Sequence, residues 1–81
     1  MKNISEVVID RLNFYMAKNN LTQYKLSQLS GVPFPTIKSI MQRKTKDITL
    51  RTIIMLSDGL SITPSEFIND DSFLPINLKL D

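Results

Sequence analysis

The side chains with the clearest chemical potential lie in "SGVPFPTIKSIMQRKTK", residues 30 to 46. Lys38, Arg43, Lys44 and Lys46 place four cations within nine residues, and no carboxylate interrupts them. Cations at that density neutralise the phosphates of a nucleic-acid backbone and release its condensed counterions. Just ahead of them, Pro33, Phe34 and Pro35 stand where the apolar spacing of Ile37, Ile40 and Met41 requires a helix to begin. A helix's first-turn amides have no internal acceptor, so the prolines give up no helical hydrogen bond there and preset φ. That explains the prolines but not Phe34. An apolar side chain at a helix start that enters the major groove can rest against thymine methyls.

Other chemistries lack their residues. The 81-residue chain has no cysteine and no histidine, which removes disulfides, thiolate and imidazole zinc ligands, and the commonest general base. Asp10, Asp58, Glu66, Asp70 and Asp71 are scattered over helix caps and a loop, and no nucleophile stands at a meaningful spacing from a base. The expectation is a protein that is not an enzyme and needs neither metal nor cofactor. No long apolar run is present, so a secretory signal or membrane span is not expected, and the reading is of a soluble, cytoplasmic protein.

The elements that must position the basic cluster follow from caps and periodicity. Asn3 with Glu6 forms a capping box ahead of Val7, Val8, Leu12, Tyr15 and Met16, which predicts a first helix to about residue 18. Thr22 caps a second, with Leu26 and Leu29 facing inward and Gly31 ending it. The third runs from about 33 to 43. Thr49 caps a fourth, with Leu50, Ile53, Ile54, Leu56 and Leu60 as the buried stripe. Thr63, Pro64 and Glu66 start a short fifth. The fold class predicted is all-α, five helices over residues 1–70, followed by a tail over 71–81. In that tail Ile76, Leu78 and Leu80 alternate with Asn77 and Lys79, the pattern of a half-buried strand. A strand needs a pairing partner; either a second subunit's tail supplies it, or the tail folds back with Phe73, Leu74 and Ile76 over the core.

Charge is unevenly distributed around these elements. The net charge of the whole chain is +2. Residues 1–20 carry Lys2, Arg11 and Lys18 against Glu6 and Asp10. Residues 21–51 carry Lys25, Lys38, Arg43, Lys44, Lys46 and Arg51 against Asp47 alone, and residues 52–81 carry Lys79 against five carboxylates. Positive charge is therefore concentrated on the second and third helices and the loop after them, which favours a nucleic-acid partner.

Residues 21 to 68 also resemble the Cro and phage-repressor type of helix-turn-helix, the Xre-like family. The resemblance is carried by Thr22-Gln23 opening the second helix, Leu26-Ser27, Gly31-Val32 in the turn, Ile37 in the third helix, and Leu60, Ile62 and Phe67 closing the core. It implies a sequence-specific double-stranded DNA-binding transcriptional regulator, of repressor type, whose third helix enters the major groove. By position, Phe34, Pro35, Lys38 and Ser39 would face base edges. Thr22, Gln23, Thr36, Arg43, Lys44 and Lys46 would hold the sugar-phosphate backbone. Arg43 stands where that family commonly has glycine, so it either adopts a left-handed conformation at a cost of about 1 kcal/mol or lets the helix run on. Such modules act as homodimers, for which Ile76, Leu78 and Leu80 are the candidates here. The alternative is an antitoxin-type adaptor that also binds a partner protein.

Overall fold

Helix starts are where the side chains can first be checked against the backbone, because each needs acceptors for amides that have no intrahelical partner. In the computed structural model, which describes residues 1–80, Asn3 accepts from the Glu6 amide, and the Glu6 carboxylate returns a bond to the Asn3 amide. This capping box opens α1 (Ile4–Lys18). Thr22 accepts from the Lys25 amide to open α2 (Gln23–Ser30), and Thr49 from the Thr52 amide to open α4 (Leu50–Gly59). A second capping box, Thr63 with Glu66, opens α5 (Pro64–Ile68). Only α3 (Phe34–Met41) starts without a side-chain cap; Pro33 flanks it and Pro35 occupies its first turn. Among the described residues no helix is long and apolar enough to cross a membrane.

The helices close around one core. Val8, Leu12, Leu26, Ile37, Ile40, Leu56, Leu60 and Phe67 are almost or wholly without solvent contact, and Met41, Ile62 and Phe73 pack partly buried against them. Three expected inward residues face solvent instead: Leu29, Leu50 and Ile54. On α4 the buried stripe is Ile53, Leu56, Ser57 and Leu60, and Leu50 and Ile54 lie along its edge, open to solvent. On α2 the inner position next to Leu26 is taken by Ser30 rather than Leu29 because α4 comes in too close for a larger side chain. A Cβ added at Gly59 would lie 2.7 Å from the Ser30 Cβ and 2.9 Å from its Cα and N.

That approach makes Gly59 a packing requirement. Gly59→Ala gains about 1 kcal/mol of helix propensity but drives a methyl into Ser30 backbone atoms that cannot swing aside. The expected net result is a loss of about 1–2 kcal/mol, read as a fall in the unfolding midpoint of about 5–10 °C. An unchanged or higher midpoint would mean that α2 and α4 slide apart without cost.

The tail departs from its alternating pattern. Among the described residues there is no strand; two 3-10 turns, Asp71–Phe73 and Pro75–Asn77, precede a single parallel bridge between Leu78 and Lys2. Pro75 opens the second turn, and the Asn77 side chain donates to the Asp71 carbonyl at 2.7 Å, which holds the chain curled where a strand would be straight. The Lys79 amide donates to the Lys2 carbonyl at 2.9 Å, so the backbone partner of the tail is this chain's own N-terminus. Phe73 packs beside Phe67 and Leu78 is buried, whereas Leu74 and Ile76 remain exposed. Arg11 ties α1 to the end of α5, its Nε donating to the Phe67 carbonyl and Nη2 to that of Glu66, each at 2.7 Å. A cation satisfying the last carbonyls of a helix also opposes the negative end of its dipole. Asp70 lies next to it, its carboxyl held below the ordinary range by the Ser72 hydroxyl and amide and by Arg11.

Candidate nucleic-acid interface

Gly31 takes the left-handed conformation at φ 77° that ends α2, and only Val32 and Pro33 separate it from α3. Val32 is buried and its amide donates to the Ser30 hydroxyl, which fixes the turn between the two helices. Ile37 and Ile40 anchor α3 from below. Their burial turns Pro35, Thr36 and Lys38 outward, with Phe34 and Ser39 half-buried at the edges of that face. The result is a short exposed helix on a rigid support, bearing a cation, a hydroxyl and apolar groups, of a size that a major groove admits.

The side chains at the start of α3 interact across the turn. The Tyr24 and Phe34 rings meet edge to face, with centroids 5.7 Å apart and planes at 84°. One turn along α3, the Lys38 ammonium lies 5.6 Å from the Phe34 centroid, within cation–π range. Tyr24 is a residue the sequence did not single out. It is 59% exposed and sits one position after Gln23, but no spacing rule links residue 24 to residue 34.

The residues expected to face a nucleic-acid backbone divide into two ends. Thr22 and half-buried Gln23 lie at the start of α2, where Thr22 is committed as an acceptor to the Lys25 amide and keeps its O–H free to donate. Arg43, Lys44 and Lys46 lie beyond the end of α3, all exposed. Ion pairs among the described residues are limited to Lys2 with Asp10 and Arg11 with Asp70, so these three cations have no carboxylate partner there. The fold also brings Lys79 to this end: Asn3, Ile4, Lys46, Asp47, Lys79 and Leu80 line one groove. Lys79 is distant in sequence from the cluster, and the Lys2–Leu78 bridge joins the tail to the N-terminus beside it.

Arg43 keeps the left-handed conformation, at φ 61°. Its amide donates to the Ile40 carbonyl and that of Lys44 to Ser39, the paired bonds of a Schellman ending. The helix therefore stops at Met41, and an arginine occupies a site that favours glycine. Arg43→Gly is expected to stabilise the fold by up to about 1 kcal/mol while weakening DNA binding about fivefold through one lost phosphate contact. Thermal unfolding and a salt titration of binding check the two halves; movement of both in the same direction would refute the assignment.

Comparison with known proteins agrees with this geometry. The family model for the Cro/C1-type HTH DNA-binding domain matches residues 11–71. A curated relative, control protein C.SmaI of Serratia marcescens, is 34% identical over 58 residues, covering 72% of this chain and 68% of that protein. No solved structure matches the chain significantly.

Proposed function

Because the chain belongs to the Cro/C1-type helix-turn-helix family of DNA-binding transcription regulators, we propose that it is a sequence-specific repressor that reads the major groove of double-stranded DNA with α3. The observation that carries the reading is the outward face of α3, with exposed Pro35 and Lys38 and half-buried Ser39 over a buried Ile37 and Ile40, flanked by Arg43, Lys44 and Lys46, which have no carboxylate partner among the described residues. Lys38 donates to a guanine O6 or N7, Phe34 and Pro35 contact thymine methyls, and Ser39 accepts or donates at a neighbouring edge. Thr22, Gln23 and Thr36 meet phosphates on one side and the basic loop meets them on the other. The relative's designation as a control protein supports a regulatory role.

One module of this size touches few base pairs, so the working form is a two-fold dimer on half-sites about one helical turn apart. Repression follows from occupancy: a protein seated in the groove of a promoter excludes the polymerase. Selection of bound duplexes from random DNA at stated salt tests the reading and is expected to return a two-fold symmetric site. Lys38→Ala should relax the preference at one guanine per half-site. Recovery of unrelated sequences with no shared motif would refute it, and a reporter whose expression rises with the protein would replace repression by activation.

A further inference from the structure

We infer that Tyr24 is a specificity-positioning residue: it fixes the plane of the Phe34 ring and so determines how strongly the protein distinguishes a thymine methyl. The inference rests on the proposed reading of DNA by α3.

The prolines leave a gap that Tyr24 fills. Pro33, at φ −56°, and Pro35 stiffen the backbone on both sides of Phe34, but a fixed backbone leaves more than one staggered χ1 and a broad χ2 open to its ring. The ring has to be held by neighbours. One is the Lys38 ammonium, 5.6 Å from its centroid. Another is the Tyr24 ring, which meets it edge to face from α2. These two neighbours behave differently when DNA arrives. Lys38 is itself a base reader, so its ammonium leaves the ring as it moves to a guanine edge. Tyr24 belongs to the supporting helix, whose Leu26 and Ser30 are locked against the core and α4, and it stays in place. In the bound state it is therefore the contact from another helix that keeps Phe34 from swinging off the methyl.

The tyrosine ring, rather than its hydroxyl, carries the role, since the hydroxyl has no hydrogen bond among the described residues while the ring has the 84° contact. An exposed aromatic on a two-turn helix has little packing function in the core, and Tyr24 lies outside the core cluster. Rigid side chains under a reading group raise specificity by removing alternative orientations.

The test uses the full chain, the preferred duplex obtained by selection, and the same duplex with single thymines replaced by uracil, which deletes only the C5 methyl. Wild type is expected to lose about fourfold in affinity at one thymine per half-site, the worth of one buried methyl group. Phe34→Ala should abolish that penalty. Tyr24→Ala should reduce it to less than about twofold while leaving affinity for random duplex unchanged, and Tyr24→Phe should restore it. Tyr24→Leu, which retains apolar bulk without an aromatic edge, should behave like Tyr24→Ala and covers the case in which alanine impairs folding. A full fourfold penalty in Tyr24→Ala or Tyr24→Leu overturns the inference, as does a Tyr24→Phe variant that behaves like alanine. Equal loss on random duplex would make Tyr24 a backbone contact and overturns it too. If wild type itself shows no uracil penalty, the methyl reading by Phe34 fails first, and the role of Tyr24 falls with it.

Discussion

Replacing Arg43, Lys44 and Lys46 together by glutamine is expected to weaken binding to every duplex, preferred or random, by roughly a hundredfold at about 0.15 M salt. The size follows from counterion release. Each neutralised phosphate contributes about 0.9 to the slope of log affinity against log salt, so three contacts contribute about 2.7. The slope of the variant should be shallower by that amount, and the two affinities should diverge as salt is lowered. Because the three side chains are exposed and unpaired among the described residues, their neutralisation leaves the core intact. Phosphates carry no sequence information, so the ratio of preferred to random binding should hardly move. A variant with the wild-type salt slope would assign the cluster to solvent and leave α3 without its electrostatic anchor. Adding Lys79→Gln to the set extends the test, since the groove that Lys79 shares with Lys46 predicts a further decrease of up to about one unit.

The parts of this fold that could be read from the sequence are those decided within one turn of a helix. Caps are local: Asn3 with Glu6, Thr22, Thr49, and Thr63 with Glu66 each find their partner three residues away, and all four helices start where those residues stand. The burial of Ile37 and Ile40 follows equally from spacing, and it alone decides that Lys38 faces outward. What could not be read depends on a neighbour. Leu26 with Leu29 and Leu26 with Ser30 are both acceptable helical pairs, and only the approach of Gly59 selects the second. Leu50 and Ile54 satisfy a helical apolar pattern as well as Ile53 and Leu56 do, yet α4 has only one side to bury. Tyr24 and Lys79 belong to the same class. Their importance comes from a contact with residue 34 and a groove beside residue 46, and neither has a signature in the linear chain. Arg43 lies between the two classes, because its site was legible but the choice between a left-handed residue and a longer helix was settled by the paired bonds to Ser39 and Ile40.

The tail leads to the other large effect. Of its three alternating apolar residues, Leu78 is only 8% exposed and serves its own core, whereas Ile76 at 81% and Leu80 at 61% are open to solvent. Deleting the whole segment would confuse assembly with folding, since it would also strip Phe73 and Leu78 from the core. Point changes separate the two. If the exposed pair forms the contact between subunits of the proposed dimer, Ile76→Glu with Leu80→Glu places four like charges across a two-fold axis and leaves each subunit folded. Sedimentation equilibrium should then report a monomer with a wild-type unfolding midpoint. Affinity for a duplex carrying both half-sites should fall by at least about a hundredfold, because the second module no longer binds at the high effective concentration that tethering provides. Affinity for a single half-site should fall far less, by no more than the charge of Leu80→Glu beside Lys46 and Lys79 accounts for. Leu78→Ala gives the opposite result, a loss of about 2 kcal/mol of stability with the dimer retained in whatever fraction remains folded. A doubly charged variant that still sediments as a dimer would rule out Ile76 and Leu80 as the contact and move the interface elsewhere on the helical body.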